Sequence, residues 1–157
     1  MEIRLAQVRD IPGIISLLLQ VGQVHHQGRP DIFRAGAQKY DAAQVEAMLD
    51  DPENPIFVAV EKSVLGYGFC FLKAFDGDPV IADHRELYID DLCVDENSRG
   101  QHVGKALYDH ICRYAKASGC TSVTLNVWCC NPGAMAFYEK MGMKPQKIGM
   151  ETNLEAF

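Results

Sequence analysis

The sequence predicts one mixed α/β domain, a single sheet with helices packed against it. Three observations predict it. β-rich apolar runs alternate with segments of helical period, which is the pattern of a mixed sheet rather than of an all-helical or all-β chain. A length of 157 residues suits one hydrophobic core. No repeat, low-complexity tract or interdomain linker interrupts the pattern, so residues 1–157 read as one domain.

Residues 3–8 form the first strand candidate. Asp10 is placed to cap the helix that follows, with Pro12 in its first turn. Ile14, Ile15, Leu18, Leu19 and Val21 give that helix an apolar face. The stretch from Gly22 to Lys39 is polar and irregular and reads as a loop or a broken helix. Asp41 with Gln44 is a capping box for a short helix through Leu49, stopped by Asp51-Pro52-Glu53-Asn54-Pro55. Ile56–Val60 and Val64–Phe75 are strands joined by a tight turn at Lys62-Ser63. Leu87–Val94 is a third long strand, and a helix ending at Gly119 follows it. Thr121–Val127 alternates as a strand. Asn131-Pro132 is an N-cap with proline at the first helical position, and Gly142 suits the C′ position of that helix. Residues 143–153 are assigned a last strand, giving the order β-α-α-β-β-β-α-β-α-β.

Net charge is −6, which argues against a nucleic-acid partner, since such modules carry basic patches. No apolar run approaches the roughly 20 residues that span a bilayer, and Met1-Glu2-Ile3-Arg4 does not open an apolar leader. The six cysteines contain no C-x-x-C spacing. Reduced thiols and a cytoplasmic location are therefore expected. His25-His26 lack a third ligand at a recognisable spacing, so no metal is expected.

The chemistry concentrates at Arg99-Gly100-Gln101-His102-Val103-Gly104, between a strand and an amphipathic helix marked by Val103, Leu107, Ile111 and Tyr114. A glycine-containing turn that opens a helix presents unpaired N–H groups at the positive end of the dipole, an anion site suited to pyrophosphate. Gly100-x-x-x-Gly104-Lys105-Ala106 is one residue short of a P-loop and has Ala106 where a Mg²⁺-binding hydroxyl is needed. The three glycines of a dinucleotide fingerprint are absent.

Leu92-Cys93-Val94, the Arg99–Gly104 turn and Leu107 resemble the acetyl-CoA-binding segment of the GNAT superfamily of N-acetyltransferases. A second block, Asn131 to Gly142 with Ala134, Phe137 and Tyr138, resembles that family's Asn-x-x-Ala-x-x-Phe-Tyr-x-x-x-Gly-Phe signature. Together the blocks extend the resemblance over essentially the whole chain. It implies a GNAT fold, acetyl-CoA as co-substrate, and transfer of acetyl to a primary amine by direct attack in a ternary complex. The alternative is a non-catalytic acyl-CoA-binding or regulatory domain of the same fold. A pair of protomers is the usual assembly in the family.

The resemblance assigns roles residue by residue. Leu92, Cys93 and Val94 would pair with the pantetheine arm, with the N–H of Cys93 or Val94 facing the thioester oxygen. The amides from Gln101 through His102, Val103 and Gly104 to Lys105 would hold the pyrophosphate, with Gly100 shaping the turn and Arg99 adding charge. His102 stands where the family usually has glycine. If that residue is already helical its Cβ need not clash and its amide still faces the phosphate; its ring either adds a donor to the phosphate when protonated or simply faces solvent. Tyr138 would protonate the departing thiolate, and Asn131 would cap its helix and touch the cofactor arm. Asp90 aligns with a Glu that assists deprotonation in polyamine acetyltransferases, and strand alternation would send Asp91 to the opposite face. His25, His26, Arg29 and Phe33 lie where the family builds its acceptor site. The acceptor is a small-molecule or peptide amine.

Overall fold

In the computed structural model, which describes residues 1–156, the elements are β1 (Glu2–Leu5), α1 (Ile11–Gly28), α2 (Ala42–Met48), β2 (Ile56–Val60), β3 (Val64–Phe75), β4 (His84–Val94), α3 (Val103–Ala117), β5 (Ser122–Leu125) and α4 (Pro132–Lys140). The sheet order is β1-β2-β3-β4-β5. The first four strands run antiparallel, and β5 is parallel to β4, with α3 as the crossover that a parallel pair requires.

Each face of the sheet carries its own core. On one face Ile11, Ile14, Leu17 and Leu18 of α1 and Val45 of α2 pack on Ile56, Val58, Tyr67, Phe69 and Cys93. On the other, Val103, Leu107, Ile111 and Ala115 of α3, four residues apart and so on one stripe, pack on Phe57, Ala59, Cys70, Leu87 and Ile89. Gly66 and Gly68 let α3 close in. A Cβ at Gly66 would stand 3.0 Å from Leu107 Cδ1, and one at Gly68 would stand 2.7 Å from Ile111 Cδ1. Helix ends follow their sequence signals. Asp41 accepts from the Gln44 N–H, completing the box, and Gly119 and Gly142 adopt φ of +78° and +89°. After α4, Gly142 N–H donates to Glu139 O and Met143 N–H to Tyr138 O, a Schellman closure.

Several expectations are corrected. α1 runs on to Gly28, and Gly22 within it sits against the backbone of the returning loop, where a Cβ would meet Ala37 O. The irregular segment therefore begins at Arg29. Asp10 does not cap α1 with its side chain. Its carboxylate accepts from Gln7 N–H at 2.8 Å and from Arg4 at 2.6 Å instead. The first and fifth strands are shorter than their sequence patterns, and β4 starts earlier, at His84. Residues 143–153 form no strand. Pro145 lacks an N–H for a ladder, and Ile148 and Met150 are solvent-exposed, so no buried face drives pairing.

Candidate active site

β4 and β5 part company in the middle of β4. Their register ends at Ile89 opposite Leu125, so from Asp90 to Val94 β4 has a neighbour, β3, on one side only. Backbone direction there follows from the alternation of strands. Asp95 N–H donates to Leu65 O on β3. Two residues back, Cys93 also faces β3, which leaves the backbone groups of Leu92 and Val94 on the open edge. Of the two amides expected to meet a thioester oxygen, geometry thus favours Val94 over Cys93.

The Arg99–Lys105 turn follows at the end of that edge. Gly100 has φ of +78°, and a Cβ there would meet nothing within 4 Å. His102 is not helical. It is the N-cap of α3 at φ 61°, ψ 13°, the left-handed region, and its ring is exposed. Among the described residues the N–H groups from Gly100 to Lys105 make no hydrogen bond, and the ladder of α3 begins with Ala106 N–H to His102 O. These free donors, with exposed Arg99 beside them, fit a pyrophosphate. Lys105 is partly committed by its ion pair with Asp109 at 2.5 Å. Gly104 carries no side chain where Phe137 of α4 approaches, 3.3 Å from an ideal Cβ, which lets α4 lie against the mouth of the opening.

A β-bulge sets the acidic pair. Phe69 pairs with Asp91 and Cys70 with Ile89, so Asp90 is the extra residue. The bulge cancels the expected alternation. Both carboxylates reach the α1/α2 side, where Tyr67 donates to Asp91 at 2.8 Å and Tyr40 donates to Asp90 at 2.6 Å. Lys39 Nζ lies 2.8 Å from Asp90 Oδ2 and donates to Asp90 O at 3.2 Å. Burial pushes the Asp91 carboxyl above the usual range, against the hydrogen bond from Tyr67. Sequence reasoning missed Lys39, Tyr40 and Tyr67. Only the long-range fold brings them to β4, and no local signal marks them.

Tyr138 lies on α4, its ring 5.2 Å from that of Phe137. Burial, then the field of Asp91, pushes its hydroxyl well above the ordinary value, so it holds its proton. Asn131 caps α4 by accepting from Ala134 N–H at 3.1 Å. Cys93 is buried, which pushes its thiol up to about 12 and disfavours a thiolate nucleophile.

The four residues expected at an acceptor site cluster at the end of α1. His25 packs on Phe33 at 4.9 Å between ring centroids, Phe33 meets Trp128 edge-on at 5.0 Å, and His26 Nδ1 lies 2.7 Å from Phe33 O. Trp128, which no sequence motif marks, thus joins this aromatic cluster while staying exposed. Arg29 departs from expectation. Its guanidinium is forked onto both Asp31 and Glu151, so it ties the C-terminal segment to α1 rather than presenting a free cation.

A mixed sheet splayed at β4/β5, with an amide-rich turn at the splay, defines an acyl-CoA N-acyltransferase fold. The sequence matches the Acetyltransferase (GNAT) family over residues 23–143, and the chain belongs to that family. It is 34% identical over 104 residues to the peptidyl-lysine N-acetyltransferase YjaB of Salmonella typhimurium, an alignment that covers 65% of this chain and 60% of the relative. It is 33% identical over 67 residues to the glucosamine 6-phosphate N-acetyltransferase of Trypanosoma brucei brucei, covering 43% of this chain and 44% of that one. The chain thus spans less than two thirds of the length of these curated relatives. The crystal structure of a mutant of the BH1408 protein from Bacillus halodurans superposes with a TM-score of 0.93 at 32% identity, covering 98% of this chain and 99% of that one.

Proposed function

We propose that the chain transfers an acetyl group from acetyl-CoA to a primary amine by direct attack in a ternary complex. The observation that carries this reading is the one-sided stretch of β4 from Asp90 to Val94, which ends at a turn of unbonded amides. An extended pantetheine arm would complete the edge as an added strand, and its pyrophosphate would meet the amides of residues 100–105. Family membership and the relatives' N-acetyltransferase names support the same reading.

Acetyl-CoA supplies an activated thioester; the chain supplies position and proton transfer. The Val94 N–H is aimed to stabilise charge developing on the thioester oxygen. Asp90 binds the acceptor's ammonium and takes its proton, directly or through water. Tyr138, held protonated, delivers a proton to the departing sulfur. The His25–Phe33–Trp128 wall would line the acceptor, and Asp90 favours a cationic one.

Release of CoA thiol, followed across a panel of lysine peptides, polyamines, aminoglycosides and amino sugars, tests the proposal. Tyr138→Phe is expected to lower kcat about a hundredfold, within the range for loss of a general acid, while acetyl-CoA binding persists. Acetyl-CoA binding without turnover on any amine would establish a non-catalytic acyl-CoA module instead.

A further inference from the structure

Asp90 already has an ammonium on it. Lys39 Nζ sits 2.8 Å from the carboxylate and bonds the Asp90 carbonyl as well, while its side chain stays 45% exposed. The loop that carries Lys39 is pinned on both sides. Tyr40, next along the chain, packs on Phe69 at 5.1 Å and hydrogen-bonds Asp90. Upstream, Ala37 O rests against Gly22, and Phe33 is held between His25 and Trp128. A primary amine is therefore presented, by the packing of its loop, to the carboxylate at the start of the open edge. Among the described residues no other lysine hydrogen-bonds or ion-pairs with β4 in its one-sided stretch; Lys73 pairs with Glu86 and Lys105 with Asp109.

We propose that Lys39 is a self-acetylation site: its ε-nitrogen, held on Asp90 at the start of the open edge, swings along that edge on its flexible side chain to take the acetyl group of acetyl-CoA bound by the same chain. This rests on the acetyl-transfer reading above. The Nζ–C bond forms as the C–S bond breaks. The ammonium sheds two protons in becoming an amide. One leaves through Asp90 to solvent; the other restores Tyr138 after it has protonated the sulfur. The product is a neutral acetamide, so Asp90 loses its internal counter-ion and is released to bind the ammonium of an external amine. Before that event, an external amine must displace Lys39.

The test is a time course of the whole protein with acetyl-CoA and no added amine, digested and read by mass spectrometry at each lysine. Lys39 is expected to react ~tenfold or more faster than exposed Lys62 and Lys144, as positioned groups outpace free ones. Its rate per molecule should not change on dilution of the protein. Tyr138→Phe should slow Lys39 and leave Lys62 and Lys144 unaffected, and a good acceptor amine should protect Lys39. Acetylation of Lys39 at the pace of Lys62, or at a rate that falls with dilution, would overturn the proposal. Turnover on the amine panel separates the two readings. Acetylated amines with unselective Lys39 would remove self-acetylation alone; no transfer to any amine or to Lys39 would remove both.

Discussion

Replacing His102 by glycine should stabilise the fold while leaving acetyl-CoA binding nearly intact. His102 is the single non-glycine residue with positive φ among those described, at 61°. A side chain in the left-handed region costs about 1–2 kcal/mol. Glycine removes that strain but adds chain entropy to the unfolded state, about 0.5–1 kcal/mol. The net gain is about 0.5–1 kcal/mol, or roughly 1–4 °C in Tm for a domain of this size. The ring is exposed, so no buried contact is lost. The turn's amides stay in place, so acetyl-CoA affinity should change by less than about tenfold, or 1.4 kcal/mol. His102→Ala keeps the Cβ and therefore the strain, and should show no comparable gain. Thermal unfolding of the three proteins, with titration of acetyl-CoA, reads both quantities. A lower Tm for His102→Gly would refute the strain argument. A larger loss of affinity would show that the imidazole itself holds phosphate.

Two carboxylates, Asp10 and Asp91, give opposite predictions with pH. Burial opposes ionisation of Asp10, but the hydrogen bonds from Arg4 and Gln7 overcome it and hold its carboxyl below the usual range. The stability it contributes is present above about pH 4 and lost as pH falls through the depressed folded value. Asp10→Asn should therefore lower stability by about 1.5–3 kcal/mol at neutral pH, a gap in urea unfolding that closes in acid. Asp91 is raised by burial, so its charge opposes folding once pH exceeds the unfolded carboxyl value. Asp91→Asn keeps an acceptor for the Tyr67 hydroxyl, and its stability relative to wild type should grow as pH rises above about 4. A variant that grew less stable over that range would contradict the assignment.

The elements that position the turn were legible because each carries a local signature. The Asn131-Pro132 start, the Gly142 stop, the Asp41–Gln44 box and the four-residue stripe of α3 need no distant partner to be read. The site was legible only in part. The bulge at Asp90 exists solely in relation to β3, because one strand has a residue that the other lacks, and strand alternation alone misplaces the carboxylate. The left-handed backbone of His102 leaves no sequence signal, because nothing local distinguishes a helical first residue from a left-handed cap. Lys39 and Tyr40 reach Asp90 across about 50 residues of chain, an encounter set by tertiary packing. The missing last strand is the converse error, a plausible local pattern with no face to bury.

The central claim is that the one-sided edge of β4 and the turn beyond it together hold acetyl-CoA. Amide NMR spectra of isotope-labelled protein, recorded through a titration with acetyl-CoA, test it most directly. The account predicts saturable shifts at Leu92, Val94 and residues 100–105, with Cys93 less affected and with ATP or NAD failing to move Leu92 and Val94. Shifts confined to the turn, or clustered elsewhere on the molecule, would contradict it.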